Sequence, residues 1–202
     1  MTRLAPALSF ALLLALAALA ALPALAEDEP PYDVEQEELK SEAPPFKLER
    51  PSDSWLFIKL DLLKEQLRKK GEDTSGMQTL KGRLWWGAAK ADIYLNVWPS
   101  PDGSEDVEAV GKARLEALQK NLLEPQVKSA KLKPVGKRAA YVFELEGKPP
   151  RQGAQPITIV QAVVLRPEDK QVFVITLEVA ANGRVEDAKK DFQKLLRSKL
   201  KV

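Results

Sequence analysis

After Pro125 the chain switches to a period-two reading over four stretches, Val127 to Val135, Arg138 to Glu146, Ile157 to Leu165 and Gln171 to Val179. Successive side chains of a strand point to opposite faces, so this period marks four strands. The breaks between them, at Gly136, Gly147 to Gly153 and Pro167 to Asp169, are too short for a crossover helix. The strands must therefore pair antiparallel. Ahead of them the pattern predicts a short extended segment at Phe46 to Glu49 and two strands over Leu80 to Ala88 and Ala91 to Trp98. Helical spacing predicts three helices. The first begins near Ser54, capped by Ser52 or Asp53, carries Ile58, Leu62 or Leu63, and Leu67, and stops at Gly71. The second follows the Ser104 cap and the Pro101-Asp102-Gly103 turn and runs to about Leu123. The third carries Val185, Ala188, Phe192, Leu195 or Leu196, and Leu200 on one face. This order predicts an α+β domain: a mainly antiparallel sheet sandwiched between helices in α/β/α layers.

The first 26 residues read as a secretory signal peptide. Met1-Thr2-Arg3 is followed by an almost pure alanine and leucine run from Ala7 to Leu22, then Pro23 and the small pair Ala24 and Ala26. The run is shorter than the ~20 apolar residues that span a bilayer. No cysteine follows it, so the expected product is a secreted or periplasmic protein and not a lipoprotein. Charge is then segregated. Glu27 to Glu42 holds eight acids against one base, whereas from Ala43 onward 29 bases meet 21 acids. With Pro30, Pro31, Pro44 and Pro45 and few apolar residues, positions 27–45 read as an acidic, proline-rich disordered linker ahead of a domain over 46–202.

The chain contains neither histidine nor cysteine. That excludes triads with an imidazole base or a thiol nucleophile, imidazole zinc sites and histidine pH switches. No phosphate-binding glycine loop, calcium loop or metal spacing occurs, so neither metal nor cofactor is expected.

Several features stand together: the leader, Phe46-Lys47-Leu48-Glu49-Arg50-Pro51 followed by Trp55, a helix after Pro101-Asp102-Gly103-Ser104, hairpins, and a closing Phe192-Gln193-Lys194-Leu195-Leu196-Arg197-Ser198-Lys199. Over Phe46 to Lys201 this resembles the PsbP-like family, the extrinsic photosystem II proteins and their bacterial relatives. The resemblance implies an antiparallel sheet between helices and a noncatalytic role on a larger extracytoplasmic assembly, in some members with calcium or manganese nearby. The metal-linked histidines of the photosynthetic members have no counterpart here, which weakens any photosystem assignment.

Three groups of residues are candidates for function. Asp92, Tyr94, Asn96 and Trp98 share one face of a strand and offer aromatic plates with polar edges to a sugar or peptide, unless helices cover that face. Trp85 and Trp86 are adjacent, so they point to opposite faces, and a sandwich requires both to be covered. Glu144 and Glu146 share a strand face at a separation of roughly 6.6 Å, a spacing open to acid and base work on a glycosidic bond or to a solvated strand end. Lys190, Lys194, Arg197 and Lys201 form a helical ridge that, with Lys148 and Arg151, could grip a polyanion such as acidic lipid or cell-wall polymer. Nucleic acid is not an expected partner. The expected function is noncatalytic association with an extracytoplasmic protein or envelope component. The alternatives are a small carboxylate-dependent glycan hydrolase and electrostatic docking to an anionic surface.

Overall fold

A computed structural model of the chain describes residues 31–101, 104–151 and 153–202. The leader expected over 1–26, and the Asp102-Gly103 part of the expected turn, lie outside the described residues. The elements run β1 (Tyr32–Asp33), β2 (Glu38–Glu42), β3 (Pro45–Glu49), β4 (Leu56–Ile58), α1 (Leu60–Lys69), β5 (Leu80–Trp86), β6 (Ala91–Pro99), α2 (Val107–Lys120), β7 (Leu123–Val135), β8 (Arg138–Lys148), β9 (Ile157–Arg166), β10 (Gln171–Ala180), α3 (Val185–Lys194) and β11 (Leu200–Lys201). An eight-stranded sheet has the order β1-β4-β5-β6-β10-β9-β8-β7, and every neighbouring pair in it is antiparallel. A second sheet of three strands has the order β11-β3-β2. The protein is an α+β fold built on a large antiparallel sheet.

Each face of the large sheet is covered. On one, Leu84, Ile93, Leu95, Phe173, Ile175 and Leu177 meet α3 through Ala188 and Phe192, and the small sheet through Phe46 and Leu48. Gly82 lets the small sheet come close, since a Cβ there would lie 2.9 Å from Leu39 Cδ2 and 3.3 Å from Leu48 Cδ2. On the other face α2 sets Leu115 and Leu118 against Tyr141, Phe143 and Leu145, while α1 sets Leu63 and Leu67 against Ile58 and Trp85. The two adjacent tryptophans divide as a covered sandwich requires. Trp85 stacks on Tyr32 at 5.9 Å on the α1 side, and Trp86 meets Trp55 edge-on at 5.6 Å on the α3 side.

The close seat of α2 yields a stability prediction. A Cβ on Gly111 would fall 2.4 Å from Tyr141 Cβ, the rigid base of a side chain, so the helix must lift to accept one. Gly111→Val should cost about 1–3 kcal/mol by overpacking, despite valine's better helix propensity than glycine's. Chemical denaturation checks this, and a variant at least as stable as the parent contradicts the close approach.

Four expectations need correction. Residues 31–45 are not a free tether: β2 pairs with β3 from Glu38 opposite Glu49 to Glu42 opposite Pro45, and β1 pairs with β4. Composition hides the cause, which is Leu39 packing onto the core and Lys47 gripping Glu38 at 2.6 Å and Glu49 at 2.7 Å. Lys199 joins that ladder, and it and Lys47 together pull the Glu49 carboxyl down to about 2. Secondly, the helix expected from Ser54 begins only at Leu60, because Phe57 is drawn into β4 opposite Leu84. Thirdly, α2 is capped two residues later than expected. Asp106 Oδ1 accepts from the amides of Glu108 and Ala109, and Ser104 Oγ accepts only from that of Asp106. Fourthly, the closing helix ends at Lys194 in a π-helical turn, Leu195–Lys199, which buries both Leu195 and Leu196, and the chain then leaves as β11 opposite Leu48.

Candidate functional site

The strand face carrying Asp92, Tyr94, Asn96 and Trp98 lies between α1 and α2 and is largely closed. Asp92 and Tyr94 are buried, and Asn96 and Trp98 half-buried, so the four do not form an open ligand platform. They belong to an interior polar cluster. Arg83 on β5 donates through Nε to Asp92 Oδ1 at 2.7 Å and lies over the Tyr94 ring at 5.3 Å. Across the β6–β10 pairing Glu178 is directly opposite Asp92, and Thr176 opposite Tyr94. Gln161 donates to Thr176 Oγ1 at 2.6 Å and accepts from Arg114 Nε at 3.1 Å, and that guanidinium lies 5.7 Å from the Trp98 ring centroid.

Four atoms in this cluster have no hydrogen-bond partner among the described residues: Arg83 Nη2, Asp92 Oδ2, Tyr94 OH and Glu178 Oε1. Burial, reinforced by the Asp92 charge, pushes the Glu178 carboxyl up to about 8 against the pull of Arg83 and Arg151. Burial likewise holds the Tyr94 phenol well above its ordinary range. Sequence reasoning found Asp92 and Tyr94 but missed Arg83 and Glu178. The available signal was a lone acid inside the apolar run Val172 to Ala180, which needs the register of β10 against β6 before it acquires a partner.

The expected carboxylate pair is divided between two cations. Glu144 is bound by Lys189 of α3 at 3.0 Å, and Glu146 by Lys128 of β7 at 2.9 Å. The expected basic group is divided too. Lys190, Lys194, Arg197 and Lys201 are all exposed, but Lys201 belongs to β11 and is not on the helix, because Leu200 turns into the small sheet. Lys148 is held by Glu124 at 3.2 Å. Arg151 stands near enough to Glu178 to act on its charge, and Glu178 lies on the sheet face away from α3.

The most exposed strand of the large sheet is β7. It is the last strand of the large sheet, and all of its 13 residues except Val135 are exposed. Leu123 at 53%, Val127 at 41% and Leu132 at 50% are three of the four exposed large apolar side chains among the described residues. Register places Val127, Ala130 and Leu132 opposite Leu145, Phe143 and Tyr141, so they continue the apolar layer under α2 beyond the helix that covers it. On the other face Ser129, Lys131 and Lys133 lie opposite Glu144, Val142 and Ala140. There a groove of about 150 Å³ separates β7 and β8 from α3, lined by Ser129, Lys133, Val142, Phe192 and Arg197. Neither Lys131, Lys133 nor Arg197 has an ion-pair partner among the described residues. The surface is thus a strand edge with an apolar face and a cationic face.

Comparison with solved structures agrees with the layers described above. The chain is similar to cyanobacterial PsbP (CyanoP) from Synechocystis sp. PCC 6803, with a TM-score of 0.55 and 10% identity over 88% of this chain and 98% of that one. The fold is PsbP-like. Looser likenesses are to the Ran-binding protein Mog1p of Saccharomyces cerevisiae, with a TM-score of 0.47 and 11% identity over 85% and 87% of the two chains, and to LpqN, involved in cell envelope biogenesis of Mycobacterium tuberculosis, with a TM-score of 0.47 and 15% identity over 75% and 79%. No family model matches the sequence, and no curated protein matches it.

Proposed function

We propose that this chain is an exported, noncatalytic binding domain, a bacterial relative of the PsbP-like proteins, that associates with an extracytoplasmic protein or envelope component. The observation that carries the reading is the open edge of β7, where apolar and cationic side chains stand in water, whereas the carboxylates Asp92, Glu144 and Glu146 are held in ion pairs. Exposed apolar area of this kind marks an interaction surface more often than a reaction centre. The absence of imidazole and thiol throughout the chain favours the same reading. The leader-like residues 1–26 support export.

The test is affinity capture from the native envelope with the chain starting at Glu27, washed at low and at high ionic strength. One defined protein retained in both washes is the expected result, because contacts built on apolar area survive screening. Recovery of anionic polymer alone, lost as salt rises, would replace the proposal with electrostatic docking. Turnover of a glycan by the purified chain would overturn it.

A further inference from the structure

We propose that the edge of β7 between Ser129 and Lys133 takes up an extended segment of a partner protein in which acidic and apolar residues alternate, adding a ninth strand to the large sheet. The inference rests on the reading of the chain as a protein-binding domain and names how the partner is held.

An edge strand presents a row of backbone amides and carbonyls that only another strand can fully satisfy. The register of β7 against β8 shifts twice, between Leu123 and Gln126 and between Val127 and Ser129, and is regular from Ser129 to Val135. The regular part is the part able to template an added strand, since bulges twist an edge away from a newcomer. The side chains then state what the newcomer must carry. A residue settling beside Lys131 or Lys133 lies on the α3 face, close to the groove that Arg197 lines, where a carboxylate meets unpaired cations. A residue settling beside Ala130 or Leu132 lies on the α2 face and prolongs the apolar layer of Tyr141 and Phe143. Because strand side chains alternate, these two demands fall on successive residues of one segment.

Lysine and proline are the usual guards of a sheet edge, and Lys131, Lys133 and Pro134 would serve that purpose. Guarding does not account for Leu132 and Val127 standing half in water on the other face of the same strand. A second copy of this chain is a poorer occupant, because pairing β7 with itself would crowd Lys131 and Lys133 of both copies along one seam, where like charges destabilise cross-strand neighbours.

The experiment titrates an acetylated heptapeptide of alternating glutamate and valine into the chain starting at Glu27, followed by calorimetry and by amide shifts in NMR, with the lysine and valine counterpart as control. Saturable binding is expected, with the largest shifts in residues 129–134, no binding of the lysine peptide, and a loss of about tenfold or more in affinity for Lys131→Glu with Lys133→Glu. Both substitutions are on the exposed edge, and unchanged amide dispersion elsewhere shows that the variant is folded. Absence of saturable binding, shifts centred away from β7, or equal affinity in the variant would overturn the proposal. So would sedimentation showing a dimer that Leu132→Lys dissolves, since the second copy would then be the occupant. A protein captured from the envelope that stays bound to the charge-reversed variant would sink the β7 edge alone and leave the binding function in place.

Discussion

Arg83→Met should lower the stability of the fold by about 3–5 kcal/mol in urea unfolding, and adding Asp92→Leu should return most of that loss. Arg83 and Asp92 are both buried and joined at 2.7 Å, with Glu178 directly across the sheet from Asp92. Removing the cation alone leaves the buried Asp92 carboxylate without its ion-pair partner and the Glu178 carboxyl facing it without relief. Removing both partners replaces two desolvated ions by apolar side chains of comparable volume, a change that is often neutral in a well-packed interior. A single substitution costing under about 1 kcal/mol would mean that water reaches the guanidinium, and the interior placement would then be wrong.

The second large effect is a loss of stability on the alkaline side. Glu178 titrates at about 8 in the folded chain, above its ordinary value of 4.5. The folded state therefore holds the proton more tightly than the unfolded state. The resulting stabilisation is complete below the ordinary carboxyl value and is lost as pH rises through the folded one, at a slope of at most about 1.4 kcal/mol per pH unit. The charges that bear on Glu178 are those of Asp92, Arg83 and Arg151. The carboxyls of Glu38, Glu49, Glu168, Asp73 and Asp169 are shifted downward, and the chain has no histidine, so between pH 5.5 and 8 those groups contribute no opposing slope. Urea unfolding at pH 5.5 and pH 8 should show the parent weaker at pH 8, and Glu178→Gln should flatten the difference. A parent equally stable at both values would refute the buried, proton-bearing Glu178.

The strands were legible where polar side chains recur at every second position, as in Ala91 to Trp98, or where tight turns bound the run, as in the four later strands. What resisted reading depends on partners distant in sequence. Nothing local shows that Leu56–Ile58 is strand, since Ile58 also fits the stripe of the following helix and only Leu84 across the pairing decides. The acidic stretch carries two large apolar or aromatic residues where it pairs, Tyr32 against β4 and Leu39 against β3, and its order comes from those strands and from Lys47, which binds Glu38. Adjacent Leu195 and Leu196 are both buried in a π-turn, a local widening that helical spacing does not foresee. The candidate site shows the same division. Asp92 and Tyr94 were found by period, but whether their face is open depends on α1 and α2 above it and on β10 bringing Glu178 alongside. That β7 is an edge is a property of strand order, which alternation does not encode.

The large sheet is two local antiparallel runs, β1-β4-β5-β6 and β10-β9-β8-β7, joined only where β6 meets β10. On the α3 side of that seam Phe173, Ile175, Leu177 and Val179 face Val97, Leu95, Ile93 and Ala91, an apolar zipper that would tolerate sliding by two residues with every side chain still on its proper face. The opposite side would not. A slide of that size removes the Glu178 carboxyl from its place opposite Asp92, setting Thr176 there in one direction, or Ala180 there with Glu178 opposite Tyr94 in the other. The interior ions thus act as a key cut for one alignment, and a chain in which all of them are replaced by apolar residues can match the parent in stability while losing its single way of closing the two halves.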